Sequence, residues 1–293
     1  MKILITGANG FLGKLIWKQL CDSHEILTLG RNSDNDFSID IAKGVPELPE
    51  VDILIHSAGK AHIVPKTEKE RMAFFEVNVQ GTSNLLKGIT SMPKLFVFIS
   101  SVSVYGLETG SEIDEGFPLK GGSPYADSKI EAEKLVKDWG QNHGVQVVIL
   151  RLPLIAGPNP PGNLGAIIKA IRSGYYVRLG KGEARKSMVL AEDVAALIPS
   201  LLGKSGTFNL CDGYHPKLSE LDLEIAGQFG KKVRSVPEKL LAPLAKLGDL
   251  LPFFPLNSYR LDKLSHTLTF SDQKARKELA WNPRQILGHL ELN

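Results

Sequence analysis

Short β-branched runs alternate with longer amphipathic stretches through the first half of the chain. Lys2-Ile3-Leu4-Ile5-Thr6 predicts a buried strand. The next stretch, Phe11–Leu20, places Phe11, Leu12, Leu15, Ile16 and Leu20 at helical spacing. Further strands are predicted over residues 25–29, 52–56, 95–100 and 146–151, and helices over about 68–89 and 124–142. Strands separated by helical patterns imply βαβ units and a parallel sheet covered on both faces. Such crossovers are nearly always right-handed, which makes the fold a doubly wound α/β sheet.

The texture changes after Arg151. Pro153, Gly157, Pro158, Pro160, Pro161 and Gly162 cluster within ten residues and predict a long loop. A helix is expected over about 164–173, a strand and helix over 187–190 and 192–202, and a last strand over 207–210. The remainder, about 217–293, reads as mostly helical and punctuated by proline. The expected organisation is therefore two interleaved domains. Residues 1–160, with about 187–211, form the sheet domain. About 161–186 and 212–293 form a smaller, mostly helical C-terminal domain that binds substrate.

Composition narrows the partners. The 293 residues suffice for one large or two modest domains. At 43% hydrophobic and 23% charged residues the chain is an ordinary globular sequence. A formal net charge of +3 gives no bulk electrostatic reason to expect nucleic acid or a membrane surface as partner. Cys21 and Cys211 lack metal or redox spacing and read as reduced thiols of a cytoplasmic protein. No run of 18 apolar residues predicts a membrane span. The most apolar stretch, 240–256, contains Lys246, Asp249 and three prolines, and reads as core or domain packing. The N-terminal apolar run stops at Thr6-Gly7, so no signal peptide is expected.

Thr6-Gly7-Ala8-Asn9-Gly10-Phe11-Leu12-Gly13 follows the first strand and opens the first helix. Glycines in this pattern suit a pyrophosphate. The first permits a tight turn, the second lets backbone approach the phosphates, and the third packs helix against strand. The helix N-terminus adds free N–H groups. A plain glycine turn is the alternative, but the strand-to-helix context favours the Rossmann-like dinucleotide reading. The second strand ends in Gly30-Arg31-Asn32-Ser33, where NAD binders carry an acidic residue. Arg31 would pair a 2′-phosphate, so the cofactor is NADP or NAD, with NADP favoured. An Arg31 that is solvated or stacked on adenine is the alternative. Asp40-Ile41 is placed to meet the adenine edge.

Tyr125-Ala126-Asp127-Ser128-Lys129 opens a predicted helix, and i, i+4 spacing puts phenol and ammonium on one face. An ordinary Tyr, with a pKa of about 10, is too weakly acidic to work as a base at neutral pH. A neighbouring cation stabilises the phenolate and corrects this. Chance produces such a pair often, but three more segments accompany it. The fourth predicted strand runs into Ser100-Ser101-Val102-Ser103-Val104-Tyr105-Gly106. Asn78-Val79-Gln80-Gly81-Thr82 lies on the preceding helix, and Arg151-Leu152-Pro153-Leu154-Ile155 follows.

Together these segments resemble the extended short-chain dehydrogenase/reductase family, in particular its nucleotide-sugar epimerase/dehydratase group. The resemblance covers nearly the whole chain. It implies that Tyr125 is the acid/base, that Lys129 binds the nicotinamide ribose and tunes Tyr125, and that Ser101 bonds the reacting sugar oxygen. It implies cofactor contacts from Ser57-Ala58-Gly59, Asn78 and Ser100, and from Pro153, Leu154 and Ile155 facing the carboxamide. Dehydrating relatives carry an Asp-Glu pair near Ser101, and decarboxylating relatives a Glu there. Epimerases acting at C3 and C5 carry a Cys where Ser103 stands. This chain has Val102 and Ser103, which leaves hydride chemistry at C4 of a nucleotide-diphosphate sugar, by a UDP-hexose 4-epimerase or a 4-ketoreductase of cell-surface polysaccharide synthesis. A non-catalytic NADP-binding redox sensor is the alternative, but such relatives lose the Tyr or the Lys. The resemblance further implies diphosphate contacts from Asn163, from the Arg185-Lys186 pair and from Arg260, and a homodimer through the helices at 68–89 and 124–142. A helix cap for Asn163 and solvated charges for the basic residues are the alternatives. No metal site is expected.

Overall fold

A computed structural model of the chain describes residues 1–61, 63–237 and 265–292. Its centre is a seven-stranded, wholly parallel sheet. The strands are β1 (Lys2–Thr6), β2 (Glu25–Gly30), β3 (Phe37–Ser38), β4 (Ile53–His56), β5 (Leu95–Ser101), β7 (Gln146–Leu152) and β11 (Gly206–Asn209). Their spatial order is β11-β7-β5-β4-β1-β2-β3. The order turns back at β1, and a parallel sheet opens a crevice at the C-terminal ends of its strands where that happens.

The core explains the strand sequences. Ile3 and Ile5 point to one face, where they pack with Leu12 and Ile16 of helix α1 (Phe11–Leu20) and Val194 of helix α6 (Ala191–Leu197). Leu4 points to the other, with Leu85 of α3 (Gly81–Lys87) and Ala132 and Val136 of α4 (Pro124–His143). A strand buried on both faces loses the polar alternation of a half-exposed one, which is why β1 reads as a continuous apolar run.

Three small parallel pairs lie outside the main sheet. Strand β6 (Gly110–Ile113) pairs with β13 (Leu268–Phe270), β8 (Leu154–Ala156) with β10 (Met188–Leu190), and β9 (Val177–Leu179) with β12 (Arg234–Val236). Helices α5 (Gly162–Arg172) and α7 (Leu218–Gln228) pack around Leu164, Ile171, Leu221 and Ile225. Asp222 of α7 holds Arg178 of β9 through Nε at 2.8 Å. The chain end turns through α8 (Gln273–Leu279), and Trp281 Nε1 donates to the Cys211 carbonyl at 2.9 Å. Both cysteines are free thiols, Cys211 being buried.

Several expectations change. The helix expected over 68–89 is three pieces: α2 (Glu68–Phe75), a π turn (Glu76–Gln80) and α3. The loop expected after Arg151 contains β8, because its Leu-Ile-Ala run pairs with β10. The helix expected over 192–202 tightens into a 3₁₀ turn at Ile198–Leu201, where Pro199 removes a backbone donor. Strands β3, β6, β9, β12 and β13 are two to four residues long, too short to show a period. The C-terminal part thus mixes short strands with its helices. The apolar stretch 240–256 and Arg260 lie outside the described residues. No helix of the described residues is long and apolar enough to cross a membrane.

The glycine turn is where packing is tightest. Gly7 has φ +74°, and a Cβ there would stand 2.8 Å from the Ala58 backbone. A Cβ on Gly13 would stand 2.2 Å from the Gly7 carbonyl oxygen. Backbone on both sides leaves no side chain to yield. Gly13→Ala is therefore expected to lower stability by about 1–3 kcal/mol, read from urea denaturation. An unchanged midpoint would show that helix α1 moves freely off the turn.

Candidate active site

The crevice at the β1–β4 junction is built from backbone. Helix α1 starts after Gly10 with no side-chain cap and no acidic residue in its first turn. Its N–H groups and the positive end of its dipole are left for an anion. Gly7, Gly10, Phe11, Leu12 and Gly13 form this edge, with Ser57, Ala58 and Gly59 opposite. Thr6 ties the two together: its Oγ1 accepts Ala58 N–H at 3.2 Å, and its carbonyl accepts Ser57 N–H at 3.3 Å. A cradle in which a Cβ would strike backbone fits a dinucleotide pyrophosphate.

On the β2 side of this crevice Arg31 is exposed, in the loop between β2 and β3. Asn9 Nδ2 donates to Asp34 Oδ2 at 3.0 Å, which brings a carboxylate beside the glycine turn. Asp34 was not singled out from sequence. Asp40 accepts the N–H of Ala42 at 3.2 Å, so its carboxylate closes a turn. The Ile41 side chain is buried in the core, and its carbonyl accepts Asn84 Nδ2 at 2.7 Å. Pro153, Leu154 and Ile155 are half-buried at and after the end of β7.

The side-chain chemistry gathers where β5 meets α4. Ser123 caps α4 by accepting Ala126 N–H at 3.2 Å, and Pro124 occupies the first turn. This start puts Tyr125 and Lys129 in the first two turns, facing the end of β5. Ser101 Oγ accepts from Ser103 N–H at 3.2 Å and from Ser103 Oγ–H at 3.0 Å. The Ser101 side chain lies beside the Tyr125 phenol. Burial pushes the Tyr125 phenol up, and the neighbouring Ser101 side chain works against that rise. Burial lowers Lys129 to about 7, opposed by the charge of Glu133. Lys129 Nζ donates to the Ile99 carbonyl at 2.6 Å and sits 3.9 Å from the Phe98 ring centroid.

Two expected cofactor residues are engaged in support. The Asn78 amide, on the π turn, donates to Ser128 Oγ at 2.9 Å and to the Lys60 carbonyl at 3.1 Å. Its oxygen accepts Lys60 N–H at 2.7 Å. It thus ties the loop after β4 to α4. Ser100 Oγ donates to Glu133 Oε1 at 2.6 Å. Glu133 and Arg151 form a buried ion pair that sequence reasoning missed. The signal was present: Glu133 stands four residues after Lys129, and Arg151 is a charge inside an apolar strand.

The expected diphosphate residues lie apart from this centre in the fold. Asn163 is exposed in the first turn of α5, which has Pro161 at its N-cap and no side-chain cap, so Asn163 is not the cap. Arg185 Nη1 donates to the His215 carbonyl at 2.9 Å, and its guanidinium lies 5.9 Å from the Tyr214 ring centroid. Lys186 bridges to Leu268 through backbone. Among the described residues no group of His, Cys, Asp and Glu is arranged to hold a metal ion.

The sequence pattern of the NAD dependent epimerase/dehydratase family matches residues 3–211. The chain belongs to this family. A UDP-glucose 4-epimerase of Vibrio cholerae is 27% identical over 314 residues, covering 97% of this chain and 92% of that protein. A GDP-6-deoxy-D-mannose reductase of Pseudomonas aeruginosa is 27% identical over 285 residues, covering 87% of this chain and 92% of its own length. The structure of RMD from Pseudomonas aeruginosa complexed with NADPH aligns with a TM-score of 0.76 at 22% identity, covering 99% of this chain and 96% of that one.

His56, at the end of β4, is buried between Thr6 Oγ1 at 2.7 Å and Thr82 Oγ1 at 2.9 Å. Burial, with Lys129 adding to it, lowers it to about 3 from an ordinary 6.5. Between those values the unfolded chain binds a proton that the folded chain refuses. Stability from this group is present above pH 6.5 and is lost as pH falls toward 3. The urea midpoint of the wild type is therefore expected to fall more steeply from pH 7.5 to 5 than that of His56→Gln. Equal slopes would show that His56 charges within the fold.

Proposed function

We propose that the protein carries out NAD(P)-dependent hydride transfer at C4 of a nucleotide-diphosphate sugar, as a UDP-hexose 4-epimerase or a 4-ketoreductase making precursors of cell-surface polysaccharide. The observation that carries this reading is the placement of Ser101 beside Tyr125, one helical turn from Lys129, at the end of β5 and next to a glycine cradle. The two relatives, by name an epimerase and a reductase of sugar nucleotides, support it.

A nicotinamide dinucleotide, NADP or NAD, would supply the hydride acceptor or donor, with its pyrophosphate on the Gly7–Gly13 turn. Ser101 holds the sugar oxygen and shares it with Tyr125. Tyr125 takes the hydroxyl proton as C4 is oxidised, or returns it as C4 is reduced. Lys129, poised near neutrality, stabilises the phenolate in its charged form. Ser103 donates to Ser101 Oγ through its N–H and its hydroxyl and so fixes the Ser101 side chain. No carboxylate stands at position 102 or 103 to assist elimination of water, in keeping with hydride chemistry alone.

The sugar diphosphate is assigned to Asn163, Arg185 and Lys186, with Arg260 from outside the described residues. Under this reading residues 1–160 and about 187–211 bind cofactor, and about 161–186 and 212–293 bind substrate, in the cytoplasm. A homodimer through α2–α3 and α4 completes the proposal.

Two assays separate the activities. Interconversion of a UDP-hexose without net loss of NADPH means an epimerase. Stoichiometric NADPH oxidation by a 4-keto-6-deoxy sugar nucleotide means a reductase. Activity on neither overturns the reading. Tyr125→Phe is expected to lower turnover by about 10²–10⁴-fold while NAD(P)H binding, followed by fluorescence, persists. Arg31→Asp is expected to raise the Kd for NADPH about tenfold more than that for NADH, through loss of a charge-assisted contact. Equal changes would remove Arg31 from cofactor choice.

A further inference from the structure

Lys129 and Glu133 stand four residues apart on α4, a spacing at which opposite charges on a helix close ion pairs. Both are buried, at 5% and 1% exposure, where solvent would screen such a pair little. Yet the Glu133 carboxylate is turned elsewhere. Its Oε1 accepts Ser100 Oγ–H at 2.6 Å and Arg151 Nε–H at 3.0 Å, and its Oε2 accepts Arg151 Nη2–H at 2.7 Å. Lys137 approaches Oε2 only to 3.8 Å. Lys129 Nζ instead meets the Ile99 carbonyl. Arg151 is itself fixed: its Nη1 donates to Tyr105 OH at 3.0 Å, and that hydroxyl donates to Asn209 Oδ1 at 2.7 Å.

We propose that Arg151 is a positioning residue for the site: by claiming the Glu133 carboxylate it prevents an i, i+4 ion pair with Lys129 and leaves the ammonium directed at the end of β5, on the face it shares with Tyr125. This rests on the reading of Tyr125 and Lys129 as the proton-handling pair. A planar guanidinium spans both carboxylate oxygens at once, which a lysine in its place could not. Without that fork, Glu133 would turn along α4 to Lys129, neutralise it and draw it one helical turn away from Tyr125. The titratable and charged groups acting on Lys129 are Glu133 from α4, His56 from β4, and Arg151 from β7 acting through Glu133; Tyr125 shares its helix face one turn away.

The test is the titration of Lys129 in the full-length protein labelled with ¹³Cε-lysine, its signal assigned by its loss in Lys129→Met. Arg151→Gln is expected to raise the Lys129 midpoint by about one pH unit or more, the effect of a newly adjacent carboxylate. Arg151→Lys keeps the charge and guards against a folding failure; a smaller rise in the same direction is expected. Adding Glu133→Gln to Arg151→Gln should return the midpoint to the wild-type value or below. A Lys129 midpoint that is unmoved or lowered in whichever of Arg151→Gln and Arg151→Lys folds overturns the proposal, since a merely structural ion pair would cost thermal stability without moving Lys129. NADPH and NADH binding by the wild type, measured alongside, tests the functional reading separately. Failure to bind either would count against hydride transfer, while the titration still decides the role of Arg151.

Discussion

Helix α4 is held to the sheet by a face that also carries Tyr125, Lys129 and Glu133. Its 3.6-residue period brings Tyr125, Lys129, Glu133, Val136 and Trp139 to the same side, along with Ala132. The C-terminal half of that side is core, with Ala132, Val136 and Trp139 packed among Phe96 and Ile149. The N-terminal half must bury polar groups, and each buried polar group needs a partner. The fold supplies them from the strand ends: the Ile99 carbonyl for Lys129, Ser100 and Arg151 for Glu133. No buried side-chain nitrogen or oxygen among the described residues is left without a partner. A helix anchored by its apolar half therefore delivers its polar half to one place with little freedom.

Energetics separate the possible reasons for a buried Glu133–Arg151 pair. Breaking such a pair by removing one partner costs about 3–5 kcal/mol, yet replacing both partners by apolar side chains is often neutral or stabilising. Stability alone gives no reason to keep two charges at 1% and 3% exposure under the site. Their place in the fold does. The pair links α4 to β7 and, through Tyr105 and Asn209, to β11 and the carbonyls of Ile113 and Ser271. One polar chain thus joins α4 to the far edge of the sheet and to the β6–β13 pair, where apolar packing alone would fix orientation less sharply.

The parts legible in the sequence were those with a long period or a fixed spacing. Strands β1, β5 and β7 and helix α4 announce themselves through runs of five or more residues buried on known faces. The glycine turn was legible because Gly7 and Gly13 do steric work that other residues cannot. The π turn at Glu76–Gln80 was not, since one widened turn leaves the apolar period nearly intact while it redirects Asn78 toward Ser128 and Lys60. Partners that come from distant sequence were not legible either. Ser100 turns to Glu133, 33 residues away, and Arg185 to the carbonyl of His215, 30 residues away. Spacing rules see helix faces and turns; they do not see across a sheet.

The same limit bears on cofactor choice. Arg31 alone, read at the end of β2, points to a 2′-phosphate. The fold adds Asp34, brought to the glycine turn by its hydrogen bond to Asn9. On the proposed reading a 2′-phosphate arriving at this loop meets a guanidinium that attracts it and a carboxylate that repels it, both exposed. Exposed charges interact through high dielectric and are screened beyond about 10 Å at 0.1 M salt. Attraction and repulsion of similar, modest size then largely offset each other, whereas a free ribose hydroxyl would find an acceptor in Asp34 without penalty. Under that reading selectivity between NADP and NAD would be set by a small difference between two opposing charges, of which the identity of residue 31 fixes only one.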